Sequence, residues 1–171
     1  MVNFRNLLVT FVVAFLACAC ASAPRVPSQA SPLPELRHEF VGESRPENSQ
    51  GERLVRVAAG LIGTPYKFGG DTPGQGFDCS GLVFYSFDRL GFEVPRTAED
   101  QRHAAQLVRR EELSPGDLVF FRTSAHRADH VGIYAGDGKF IHSPHAGAVV
   151  SYAYLDDPYY RAHFVSAGRL P

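Results

Sequence analysis

Three side chains in this sequence have the types and the placing for nucleophilic chemistry: Cys79, His130 and His142. Cys79 lies in the stretch Phe77-Asp78-Cys79-Ser80-Gly81-Leu82-Val83-Phe84-Tyr85. Ahead of it, Asp71 to Gly76 is a run of Pro, Gly and polar residues that cannot hold a helix. After it, Ser80 to Leu90 is apolar at helical spacing (Leu82, Val83, Tyr85, Leu90) and stops at Gly91. Cys79 is therefore expected at a loop-to-helix junction. Unpaired backbone N–H groups and the positive end of the helix dipole stabilise an anion there. A thiol in that place is expected to ionise more readily, and the thiolate is the nucleophile. Taken alone, the segment fits an inert core cysteine equally well.

A thiolate needs a base beside it and a group that orients the base. His130 opens the β-rich string His130-Val131-Gly132-Ile133-Tyr134, and His142 closes Lys139-Phe140-Ile141-His142. Gly136-Asp137-Gly138 between them has hairpin chemistry. Folding that hairpin pairs Tyr134 with Lys139 or Phe140 and brings both histidines to one end. Alternation puts His130, Gly132 and Tyr134 on one face of their strand, and Phe140 and His142 on one face of theirs. If the two faces coincide, the rings can hydrogen-bond. His130 would then take the Cys79 proton while His142 holds its tautomer. Each histidine alone is more often structural; the combination with a helix-start cysteine is what carries weight.

Competing chemistries fit less well. His126-x-x-x-His130 has a zinc-helix spacing but lacks the Glu of H-E-x-x-H, and His142 and His145 flank Pro144, so no metal site is expected. Ser80 has no G-x-S-x-G elbow around it. Asp78 reads equally as a helix N-cap or as a substrate-binding carboxylate. No cofactor motif is present.

The chain has 171 residues, 44% hydrophobic and 20% charged, which fits one globular domain with appendages. A net charge of −1 and the lack of a long basic run argue against nucleic acid as a partner. Arg5 precedes an apolar run, Leu7 to Ala17, then Cys18-Ala19-Cys20 among small residues. That run is shorter than the roughly 20 residues needed to span a bilayer, and it reads as an export signal over residues 1–20. Cys79 is then the single thiol of the folded part, so reactivity or packing must explain it. Residues 21–50 hold five prolines among Ser, Gln and Glu and read as a tether. The domain is expected over 51–171.

Within it, Ser49-x-x-Glu52 is a capping box for a helix with Leu54, Val57, Ala58 and Leu61 on one face, ending at Gly63. A third helix starts at Thr97 and is expected to run to about Leu107. Short β-rich strings follow: Gly116–Phe121, His130–Tyr134, Lys139–His142 and Ala148–Tyr152. Tyr159 to Leu170 reads as a helical turn and a closing strand at Phe164–Ala167. Helices first and strands after predict an α+β fold, with an antiparallel sheet packed on the helices.

Five strings in order, Tyr66-Lys67-Phe68-Gly69-Gly70, Phe77-Asp78-Cys79-Ser80-Gly81, Pro115-Gly116-Asp117-Leu118-Val119-Phe120-Phe121, His130-Val131-Gly132-Ile133-Tyr134 and Phe140-Ile141-His142, resemble the successive motifs of the NlpC/p60 cell-wall peptidases. The resemblance covers about residues 52 to 170. It implies a papain-like core with Cys79 as nucleophile, His130 as base and His142 as third member. Tyr66 matches the family's active-site tyrosine; Asp78 and Ser80 match positions that line the peptide site. The chain also resembles the small lipoprotein murein endopeptidases of Gram-negative bacteria, which implies peptidoglycan stem peptides as substrate. The bond cut would be D-alanyl–diaminopimelate or γ-D-glutamyl–diaminopimelate. A catalytically silent wall-binding lipoprotein, and an amidase or acyltransferase on the same core, are the other readings. Cys18 and Cys20 both resemble lipobox cysteines. Neither is followed by Asp, which in the resemblance points to an outer-membrane lipid anchor facing the periplasm. A monomer is expected.

Overall fold

Ser49 caps the first helix, its Oγ accepting the Glu52 N–H at 3.3 Å. In this computed structural model, residues 49–123 and 129–170 are described. The expected signal, its Cys18 and Cys20, the tether up to residue 48 and His126 lie outside them. Helix α1 spans Gln50–Ala59 and buries Leu54 and Ala58. Two tight turns then carry the chain to Gly63, whose φ of 89° reverses its direction.

Helix α2 spans Cys79–Asp88, with Asp78 as its N-cap, and the chain turns away at Gly91. The preceding loop holds a small antiparallel pair, β1 (Asp71–Thr72) and β2 (Gly76–Phe77). Helix α3, Ala98–Ala104, is capped by Thr97 as expected. It ends three residues earlier than its composition predicts. Ala105 is extended, and Gln106–Val108 form strand β3 instead, which leaves Leu107 77% exposed. Pairing with a strand from the far end of the chain overrides the local helical preference.

The remaining strands are β4 (Leu118–Phe121), β5 (His130–Gly136), β6 (Lys139–His142), β7 (Ser151–Tyr154) and β8 (Phe164–Arg169), with helix α4 (Pro158–His163) before the last. They form one antiparallel sheet in the order β3-β8-β4-β5-β6-β7. The α+β expectation holds. β7 starts later and runs further than the composition predicts, while Val149 makes a lone bridge to Pro65.

Both faces of the sheet are covered, which is why β4 reads Leu-Val-Phe-Phe without polar alternation. Leu118 and Phe120 face Leu54 and Ala58 of α1 and Leu82, Val83 and Phe87 of α2. Val119 and Phe121 face Phe140, Leu155, Tyr160 and Phe164 on the other side. Each wholly buried phenylalanine contributes up to about 3 kcal/mol. The frame that carries the histidines is therefore held from both sides.

Candidate active site

Cys79 is the first residue of α2, as its sequence context predicts. Its thiol points at the start of β5: Sγ donates to the Asp129 carbonyl oxygen at 3.7 Å, and the Val131 N–H faces the sulfur. These two contacts bracket His130. N–H groups of Val131, Ser80 and Cys79 favour the thiolate, as a helix start should. Burial outweighs them, and with a smaller push from the Asp78 carboxylate it raises the thiol to about 11. The expectation of an easily ionised thiol is therefore corrected. At rest the group is a thiol, and its proton must leave as it reacts.

The two histidine faces do coincide. Tyr134 pairs with Phe140 and Ile133 with Ile141, with a shift at the turn where Gly136 meets Lys139. This register sets His130 diagonally across from His142, and His130 Nε2 lies 2.9 Å from His142 Nδ1. Gly132 stands between them. A Cβ there would come 2.5 Å from the Phe140 ring, so the missing side chain gives Phe140 its seat beside His142. Both rings are buried, and desolvation of the charged form pushes His130 down to about 4 and His142 lower still. Asp129 raises His130 slightly, and His145 lowers both. At neutral pH the dyad is uncharged. With Nε2 engaged by His142, Nδ1 is the nitrogen of His130 left to take a proton.

Asp78 is saturated by internal partners. One oxygen accepts from Gly81 N–H at 2.6 Å, Arg96 Nη1 at 2.9 Å and the Ser80 hydroxyl at 3.2 Å. The other accepts from Arg96 Nη2 at 3.0 Å and Gly69 N–H at 3.0 Å. Arg96 also reaches the Gly70 carbonyl and Ser80 Oγ. Behind them, the buried Gln101 donates its amide to the carbonyls of Ser80 and Pro95. The N-cap reading of Asp78 is thus realised, and the cap is also the hub that locks the loop at Gly69–Gly70 onto the helix of Cys79. Gly81 permits this approach, since a Cβ would fall 2.1 Å from the Gly70 oxygen.

An open cleft of about 450 Å³ runs over Cys79. Tyr66, Phe68, Asp78 and Ser80 line it from one side, Thr97 to Asp100 and Asp129 from others. Every site residue expected from the sequence, apart from the two lipidation candidates, is thereby located. Cys79, Tyr66, Asp78 and Ser80 border the cleft, and His130 and His142 are buried at the strand ends. Burial, with smaller contributions from Cys79 and Asp78, raises the Tyr66 phenol, which lines the same cleft as the thiol. Three residues were missed. Arg96 directly precedes the Thr97 cap, Phe68 stands 84% exposed at the cleft rim, and Tyr160 lies behind His142. Only Phe68 had a signal, an aromatic residue in a Gly-rich turn. A second cavity of about 400 Å³, lined by Gly51, Leu54, Phe87, Pro115 and Arg169, shares no residue with the cleft. Among the described residues, no group of three His, Cys, Asp or Glu side chains could hold a metal.

A helix-start cysteine laid against a histidine-bearing strand of an antiparallel sheet gives an α+β domain the parts that thiol chemistry requires. The chain belongs to the NlpC/P60 family, whose profile matches residues 63–169. It is 48% identical over 113 residues to murein DD-endopeptidase MepH of Escherichia coli, covering 64% of this chain and 42% of that one. It is 30% identical over 186 residues to a probable endopeptidase, an NlpC homolog of Haemophilus influenzae, covering 97% and 98%. Among solved structures it is similar to an NlpC/P60 family protein from Bacillus cereus, with a TM-score of 0.68, 33% identity, and 72% and 41% coverage. The NlpC/p60 domain of peptidoglycan hydrolase SagA gives a TM-score of 0.63 at 29% identity, covering 71% of this chain and all of that domain. The chain spans less than half the length of MepH and several other curated relatives it matches.

Proposed function

We propose that the protein is a cysteine peptidase that hydrolyses peptide bonds in the stem peptide or cross-link of murein. The observation that carries this is the thiol of Cys79 set against the strand start of His130, with His142 at 2.9 Å behind it and an open cleft in front. The names of the relatives, murein DD-endopeptidase among them, support the substrate class.

As Cys79 attacks the peptide carbonyl, its proton passes to Nδ1 of His130, and the imidazolium is held through Nε2 by His142. The backbone N–H of Cys79 at the helix start helps hold the oxyanion. His130 then protonates the departing amine, leaving an acyl-enzyme. The same histidine next activates the water that releases the acid. Asp78 and Ser80, engaged internally, shape the peptide site through the positions they fix, and Tyr66 closes it beside the sulfur.

We further propose that the leader, Arg5 through Cys20, exports the chain and that Cys18 or Cys20 carries lipid. The domain would then work in the periplasm from the outer membrane, on the tether of residues 21–50. The short apolar core followed by cysteine and small residues supports this.

Digestion of purified murein followed by mass analysis of the fragments tests the activity. New termini at a diaminopimelate residue are expected and identify the bond. Release of an amide group without chain cleavage, or an unchanged digest, would replace this reading with an amidase or a silent binder.

A further inference from the structure

Behind the histidine dyad lies one polar group that the mechanism above does not use. The Tyr160 hydroxyl is 3.4 Å from Nε2 of His142, the nitrogen turned away from His130. Its ring is wedged among Phe121, Phe140, His142 and Tyr159 at centroid distances of 5.0 to 5.3 Å, three of them near-perpendicular edge contacts within about the range where aromatic pairs attract. The phenol is held in place by packing, on helix α4, an element the nucleophile and base do not share.

We propose that Tyr160 is a positioning residue of the catalytic machinery: its hydroxyl oxygen accepts the Nε2 proton of His142 and thereby sets the tautomer of both histidines. This rests on the reading of Cys79 as nucleophile and His130 as base.

A neutral imidazole has one N–H, and the hydrogen bond made by one nitrogen decides which nitrogen carries it. To receive the Cys79 proton, His130 must have a bare Nδ1, so its own proton sits on Nε2 and is donated to His142. His142 must then accept at Nδ1, so its proton sits on Nε2 and needs an acceptor there. Tyr160 supplies one. If the phenol instead donated to His142, each proton would shift by one place. His142 would donate from Nδ1 to His130, and Nδ1 of His130 would be filled and unable to act as base. The accepting arrangement also survives the reaction. When the S–H bond breaks and the proton reaches Nδ1, the Nε2–H of the imidazolium still meets a lone pair on His142.

Burial raises the phenol to about 12, helped by Tyr159 and Asp157, so it stays a neutral hydroxyl across the working range. The other titratable groups facing the dyad are Asp129 and His145.

The test uses Tyr160→Phe in the whole chain, which keeps the ring and removes only the oxygen. Nitrogen-15 NMR of labelled histidine should show both rings as Nε2–H tautomers in the native protein and a mixture for His142 in the variant. With murein as substrate, kcat should fall on the order of tenfold with KM unchanged, well short of the roughly 10⁴-fold cost of a wholly wrong tautomer. In a His142→Asn background, where an amide cannot change tautomer, adding Tyr160→Phe should cost nothing more. Unchanged tautomers in Tyr160→Phe, or an equal loss in both backgrounds, would overturn the proposal and leave the phenol a packing group. The spectra need no substrate. A native protein that fails to cut murein would therefore sink the proposed function while the tautomer result still decides this one.

Discussion

Arg96 grips both oxygens of Asp78, at 2.9 and 3.0 Å, and through them fixes the first turn of the helix that presents Cys79. The two residues are 18 apart in sequence, and neither belongs to the proposed catalytic pair. A half-buried carboxylate with five donors is stable only while its counter-charge remains. Arg96→Met should therefore destabilise the fold by about 2 kcal/mol and lower activity more than its stability loss explains. Chemical denaturation alongside murein digestion measures both. Arg96→Lys should recover only part, because one ammonium cannot replace the fork. Native stability in Arg96→Met would mean that the helix start is held by other contacts.

Replacing the nucleophile separates chemistry from fold. Cys79→Ser should keep the native melting temperature and lose murein hydrolysis by several orders of magnitude, since a serine hydroxyl beside this dyad is far less nucleophilic than a thiolate. EDTA should leave the native enzyme active. Near-native activity in the serine variant would remove the cysteine mechanism.

The two histidines should differ. His130→Ala is expected to be as inactive as the cysteine variant, whereas His142→Asn or His142→Gln should retain part of the activity. A base must carry a proton, while its orienter needs only an acceptor at the right distance. A correctly folded His142→Asn as dead as His130→Ala would give His142 a further role.

Burial of the dyad gives a pH signature. Because His130 is held near 4, the acid limb of kcat/KM should lie well below the ordinary histidine value of 6.5. Stability follows the same groups. Between about pH 6.5 and 4 the unfolded chain takes up protons that the folded dyad refuses, so stability falls as pH falls, by up to about 1.4 kcal/mol per pH unit for each histidine. Above the unfolded value the contribution is constant. Urea titrations at several pH values should show the slope in the native protein and a reduced one in His142→Asn. An acid limb at 6.5 with no such slope would mean that the rings are solvated.

Anchoring is tested by Cys18→Ser with Cys20→Ser. The double variant should lose palmitate labelling and membrane association, yet its purified domain should cut murein as the native one does. An extended tether of about 30 residues reaches at most about 90 Å, enough to separate a membrane anchor from its working site. Unlabelled native protein in the soluble periplasmic fraction would show an ordinary cleaved signal.

What was legible in the sequence was local. The hairpin of His130 and His142 follows from period-two alternation around Gly136-Asp137-Gly138, and its register came out as Tyr134 opposite Phe140. The caps at Ser49 and Thr97 and the helix start at Cys79 follow from turn and capping chemistry. Apart from Phe68, the missed roles depend on distant partners. Leu107 fits a helix face until Gly168 is known to pair with it. Arg96 and Tyr160 acquire roles only from Asp78 and His142, which other elements deliver. The thiol's direction was misread because a dipole is visible in sequence and burial is not.

The place of β8 governs how the sheet closes. This strand, Phe164–Arg169, follows the other described strands in the chain yet lies between β3 and β4. Until it emerges, both neighbours have bare edges, and Phe121 lacks its Phe164 contact. The β5–β6 hairpin that carries both histidines closes locally, whereas seating β8 against β4 must close a loop of more than 40 residues from Phe121 to Phe164. A chain clipped before β8 therefore keeps the histidine hairpin but loses the strand that joins β3 to β4.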